Sequence, residues 1–187
     1  MLLRYIADDP MEKLPKMLNL AEKLDKGHLH TPHINGLREV LLDENSVWHT
    51  FAQKLCDEVD TKVIQKFVEC FFVYVNLEGE EAGREVGEKY DIYVPWAILM
   101  DPTSACNLHC TGCWAAQYGN KLNLSYETLD SIVQQGKELG THFYIFSGGE
   151  PLMRKKDIIR LCEKHQDCYF FAFTNGTLVD EELCKEM

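Results

Sequence analysis

Three cysteines within eight residues are the feature of this sequence whose types and spacing most directly imply chemistry. Cys106, Cys110 and Cys113 stand in Cys-Asn-Leu-His-Cys-Thr-Gly-Cys, a C-x3-C-x2-C spacing. A [4Fe-4S] cube is ordinarily held by four thiolates, so three in one tight loop with no fourth nearby leave one iron an open position that can take a substrate. A structural zinc site is the alternative, because three cysteines and a histidine make a legitimate zinc set and His109 lies inside the motif. Against zinc, His109 directly precedes Cys110, where adjacent side chains in a compact loop tend to diverge, and no matching cysteine pair follows downstream. Cys56, Cys70, Cys162, Cys168 and Cys184 fall in helical or strand patterns and read as small buried hydrophobes. His28, His30 and His33 sit beside Gly27 and Pro32 in an expected surface turn, with no adjoining thiol or carboxylate to complete a metal set.

Composition narrows what such a loop would serve. Hydrophobic residues make up 45% and charged residues 26% of the 187, the proportions of a globular domain with a real core. Nineteen Lys and Arg against 30 Asp and Glu give a net charge of -11, which repels a phosphate backbone and disfavours nucleic acid as a partner. The one short basic run, Arg154-Lys155-Lys156, reads as a solvated helix start. No apolar run approaches the roughly 18 residues of a membrane span. The first residues lack a basic segment followed by a long apolar core, so a cytoplasmic location is expected, and with it reduced thiols available for metal or cluster chemistry rather than a disulfide framework.

The loop needs elements to position it. Residues 1–90 are expected to form a helical N-terminal region: Leu14, Met17, Leu18, Ala21 and Leu24 recur at helical spacing, as do Val47, Phe51 and Leu55, and then Val63, Ile64, Phe67, Val68, Phe71 and Phe72, with Ser46 and Asp60 or Thr61 as N-caps. The aromatic stripe of Phe67, Phe71, Phe72 and Tyr74 reads as packing. The polar stretch 78–91 carries three glycines and is expected to be the boundary. From residue 91 onward short apolar runs alternate with helical segments, the pattern of βαβ units and a parallel sheet. Strands are expected at 96–100, 143–146 and 169–173, the third buried on both faces. Helices are expected from Ser125 to Gly140, around Ile158 to Cys162, and from Asp180 onward. About three such units are present, against the eight, in about 250 residues, of a closed barrel. The fold class is therefore α/β, an incomplete (β/α) barrel preceded by helices, and the chain is expected to be the front part of a longer protein.

The cysteine loop follows the first strand directly, at the strand ends where such sheets collect their ligands. A second motif, Gly148-Gly149-Glu150-Pro151, follows the second strand, where glycines permit a backbone approach that any side chain would block. Together these motifs resemble the signature of the radical S-adenosylmethionine superfamily, and the Cys-Asn-Leu-x-Cys form is similar to its branch of peptide-modifying and sulfatase-maturing enzymes. The resemblance covers residues 92–187. It implies a partial (β/α)6 barrel with a [4Fe-4S] cluster on Cys106, Cys110 and Cys113. It also implies S-adenosylmethionine chelated to the open iron, and reductive cleavage to methionine and a 5'-deoxyadenosyl radical that removes a hydrogen atom from a substrate. By the same resemblance Gly148, Gly149 and Glu150 would bind the cofactor's amino group, and Thr174 and Asn175 would lie near its ribose and methionine. A low-potential donor, ferredoxin or flavodoxin, and a peptide or small-molecule substrate would be its partners. Many members carry an aromatic residue before the third cysteine; this chain has Gly112 there and Trp114 after it. The competing expectations are a zinc-stabilised interaction module, and a chain that binds a cluster without turning anything over.

Overall fold

A computed structural model describes residues 10–187 apart from Lys26 and Leu29; residues 1–9, read above for a leader, lie outside the described residues. The chain divides into two compact units, Met1–Glu69 and Cys70–Met187. In the first, helices α1 (Pro10–Leu24), α2 (Thr31–Leu42) and α3 (Val47–Glu58) pack on one another, and α4 (Thr61–Phe67) follows. Ser46 and Asp60 cap α3 and α4, each side chain accepting from the backbone N–H two residues on. Arg38 ties α2 to α1 by donating to Asn19 Oδ1 at 2.7 Å and Glu22 Oε2 at 2.8 Å.

Gly27, His28 and His30 lie in the expected turn, whereas Pro32 and His33 fall in the first turn of helix α2. Pro32 is tolerated in the first helical turn, where its missing N–H is no loss. Buried Asp25 accepts from the His30 N–H at 3.0 Å and the Thr31 hydroxyl at 2.8 Å, so an acidic group does stand beside the histidines, and its task is to start α2.

A π-helix, Val68–Gly79, leads into the second unit and runs on into α5 (Glu80–Tyr90). The glycine-bearing stretch expected as the boundary is helical for most of its length. Its glycines serve contact: a Cβ on Gly79 would meet Gly140 O at 2.6 Å, and one on Gly140 would meet Gly79 O at 2.7 Å, so the π-helix end packs backbone to backbone on the end of α6. Beyond α5 come three parallel βα units: β1 (Ala97–Met100), α6 (Tyr126–Leu139), β2 (Phe143–Phe146), α7 (Lys155–Lys164), β3 (Tyr169–Ala172) and α8 (Glu181–Glu186). The sheet order is β1-β2-β3, all parallel, with Met100 opposite Phe146 and Phe146 opposite Ala172. A helical N-terminal region followed by a small parallel sheet with helices is the expected architecture.

One sheet face makes the core. Met100, Tyr144 and Phe146 pack with Leu129 and Val133 of α6, Ile158 and Leu161 of α7, and Leu183 of α8. On the other face Phe71 of the π-helix meets Trp96, Phe143 and Tyr169 edge to face at ring separations of 5.5 to 6.1 Å, so this residue of the aromatic stripe serves packing, whereas Phe67 and Phe72 are exposed. Phe71 covers the end of the sheet where the strands begin, leaving the opposite end to the loops. Strand β3 departs from the double burial expected of it: it lies at a sheet edge, with Phe171 exposed and its neighbours half-buried.

Candidate metal centre

The segment after β1 is held on both sides before it reaches the first cysteine. On one side Ser104 N–H donates to Leu122 O at 2.8 Å and Leu124 N–H to Pro102 O at 3.1 Å, while the buried Thr103 hydroxyl donates to Asn123 Oδ1 at 2.6 Å. These bonds staple the stem of the loop that carries all three cysteines. Arg154 reinforces the stem by donating to Leu124 O at 2.8 Å and Pro102 O at 3.3 Å. The basic run is thus put to two structural uses, since Lys155 also pairs with Asp180 at 2.6 Å.

On the other side lies the loop after β2. Gly149 N–H donates to Thr103 O at 3.0 Å and Glu150 N–H to Ala105 O at 2.8 Å. Both glycines are required by this docking. Gly148 has φ +101°, and a Cβ there would stand 2.6 Å from Thr103 O; a Cβ on Gly149 would collide with the backbone of Ala105. The close approach that the glycines allow in this chain is thus first to the cysteine loop itself.

Glu150 turns inward and is 1% exposed. Its Oε1 accepts from Leu152 N–H at 2.9 Å and the Thr174 hydroxyl at 2.7 Å, and its Oε2 accepts from Asn175 N–H at 2.8 Å. One buried carboxylate therefore caps the short 3-10 turn at Pro151–Arg154 and fastens the loop after β3. From that loop Asn175 Nδ2 reaches Asn107 Oδ1 at 3.0 Å and Cys106 Sγ at 3.9 Å, and Asn107 Nδ2 donates to Thr177 Oγ1 at 2.8 Å. The loops after all three strands are joined in sequence, and Cys106 stands at the junction.

Cys106 is half-buried, Cys110 and Cys113 are exposed, and all three are free. Leu108 N–H donates to Cys106 Sγ at 3.4 Å, and Cys113 N–H donates to Cys110 O at 3.2 Å across a turn in which Gly112 has φ +76°. Among the described residues no group of three His, Cys, Asp or Glu side chains is gathered tightly enough for a single metal ion. A cube takes its thiolates on separate irons, and three accessible cysteines on one anchored loop are a donor set of the right chemistry for it. Trp114 and Tyr118, both exposed, meet edge to face at 5.9 Å just beyond Cys113.

Of the other cysteines, Cys70 and Cys168 are buried and Cys56 and Cys162 half-buried, as expected, whereas Cys184 is exposed. Burial pushes the Cys162 and Cys168 thiols up to about 12, far from the thiolate form a ligand needs. The framing roles of Thr103, Asn107, Asn123, Arg154 and Thr177 escaped the sequence, in which Arg154 reads only as part of a basic run. Only Asn107, inside the motif, and Thr177, two residues past Asn175, stood close enough to a recognised pattern to be found.

A parallel βα sheet whose first loop offers three thiols and whose second packs a Gly-Gly-Glu turn against it defines a class. Residues 100–187, just under half of the chain, match the family model described as the radical SAM superfamily, and this stretch belongs to that superfamily. It is similar to an uncharacterized protein of Archaeoglobus fulgidus, 38% identical over 154 residues, covering 80% of this chain and 33% of that one. It is also similar to the Fe-coproporphyrin III synthase of Methanosarcina barkeri, 33% identical over 96 residues, 48% of this chain and 23% of that protein. The chain spans about a third or less of the length of these curated relatives. No solved structure gives a significant match.

Proposed function

We propose that Cys106, Cys110 and Cys113 ligate a [4Fe-4S] cluster with one open iron and that the chain belongs to an enzyme that uses it with S-adenosylmethionine. The observation that carries this reading is the position of the three free thiols. They stand on a loop anchored at the carboxyl end of β1, against the Gly148-Gly149-Glu150 turn after β2, within the stretch matched to the superfamily. The cluster and its partner cofactor, when bound, supply reductive cleavage to methionine and a 5'-deoxyadenosyl radical for hydrogen abstraction from a peptide or small-molecule substrate.

The chain's own residues orient and enclose. Gly148 and Gly149 present a backbone edge beside the cysteine loop for the cofactor's amino group, and Glu150 holds that edge in register with Thr174 and Asn175, which line the methionine and ribose side. Exposed Cys110 and Cys113 leave a face open to a low-potential donor such as ferredoxin or flavodoxin. Metal analysis tests the ligand set: after anaerobic reconstitution the wild-type chain is expected to hold about four irons and four sulfides, and Cys106→Ala to lose most of both. One zinc without sulfide would instead favour the interaction-module reading.

A further inference from the structure

Asn175 comes from the loop after the third strand, yet its side chain ends on the sulfur of the first cysteine. Its orientation is fixed by donors that cannot reverse. Thr177 N–H can only donate, and it points at Asn175 Oδ1 at 3.0 Å, so the other terminal atom of the amide must be the nitrogen. That nitrogen has two hydrogens and two acceptors before it, Asn107 Oδ1 at 3.0 Å and Cys106 Sγ at 3.9 Å. Thr177 closes the ring consistently: its hydroxyl donates to Asn175 Oδ1 at 2.7 Å and accepts from Asn107 Nδ2 at 2.8 Å. The backbone of Asn175 is held by Glu150 Oε2 at 2.8 Å, and Glu150 is buried. The amide is thus aimed from behind by one carboxylate and from the side by one threonine.

We infer that Asn175 is a positioning residue that donates an N–H···S hydrogen bond to the Cys106 thiolate and so sets the reduction potential of the cluster, an inference that rests on the ligand set proposed above. A donor on a ligating sulfur withdraws electron density and favours the state with the extra electron, so the bond raises the potential. Leu108 N–H supplies a local donor to the same sulfur at 3.4 Å. The Asn175 donor differs because it comes from a separate βα unit. Any movement of the loop after β3, on which Thr174 and Asn175 stand, changes the number of donors on Cys106 and with it the ease of reduction.

The experiment is a midpoint-potential titration, followed by electron paramagnetic resonance, on anaerobically reconstituted wild type, Asn175→Asp, Asn175→Leu and Thr177→Val. Asn175→Asp keeps the acceptor for Thr177 and removes the N–H. Both Asn175 variants are expected to shift to more negative potential at unchanged iron and sulfide content, and Thr177→Val, which removes a hydroxyl but leaves both the backbone N–H and the amide, to shift less. Midpoints equal to wild type overturn the inference, as does loss of the cluster in Asn175→Asp, which would make Asn175 a structural support. Absence of any cluster from the wild type is a separate result and overturns the ligand set itself.

Discussion

Gly149 shows how little space separates the two motif loops. Its N–H reaches Thr103 O at 3.0 Å, and any Cβ would meet the Ala105 backbone, which cannot yield as a flexible side chain would. Gly149→Ala is therefore expected to push the loop after β2 away from the cysteine stem, costing about 1–3 kcal/mol of stability as overpacking does, and to lower iron incorporation although no ligand has changed. Thermal unfolding together with iron analysis checks it; a variant that unfolds and loads like wild type would mean the loops are not coupled. The motif residues were legible in the sequence because each is confined to a few consecutive positions. The residues that frame them were not. Arg154 meets Leu124 and Pro102, and Asn107 meets Thr177, across 30 to 70 positions of chain, and neither a basic run nor a single Asn or Thr carries a local sign of such a partner. Glu150 could be recognised as part of the motif, but its burial and its hold on Thr174 depend on where β3 lies.

Among the elements, helices with a clear apolar period and a capping residue were readable to within a residue or two, as at Ser125 for α6 and Asp180 for α8. The π-helix was not, since an aromatic stripe such as Phe67 to Tyr74 does not separate a four-residue from a five-residue repeat. Helix α2 was hidden because its start is organised by Asp25, outside the helix. Two of the helices covering the sheet are joined by a polar link between α6 and the end of α7: Asp130 accepts from Lys164 at 2.6 Å and from buried His165 at 2.8 Å. The Lys164 hydrogen bond, then that of His165, holds the Asp130 carboxyl below its ordinary 3.8. A lowered native value means the link is at full strength above the unfolded carboxyl's range and is lost as pH falls through the native one. Asp130→Asn is expected to cost about 1–2 kcal/mol near neutral pH, with the deficit fading below the ordinary carboxyl value. Chemical denaturation at several pH values measures this, and a deficit constant with pH would assign the loss to packing instead.

At the scale of the molecule, the sheet has one finished face and one open one. Leu99, Ile145 and Phe171 share a register row on the second face, and Leu99 is 57% and Phe171 41% exposed. The packing of Phe71 on Phe143 and Tyr169 covers that face only where the strands begin. The open row leads toward the loops that carry Cys106, Gly149 and Asn175, so in this partial barrel the junction of the three loops stands at the mouth of an apolar surface. No helix among the described residues is long and apolar enough to cross a membrane.

The most direct test is the electron paramagnetic resonance spectrum of the reconstituted, reduced chain recorded with and without S-adenosylmethionine. We expect a reduced-cluster signal that changes shape when the cofactor is added and disappears in Cys106→Ala. A spectrum unaltered by the cofactor, or the same signal in the variant, would contradict the proposed function.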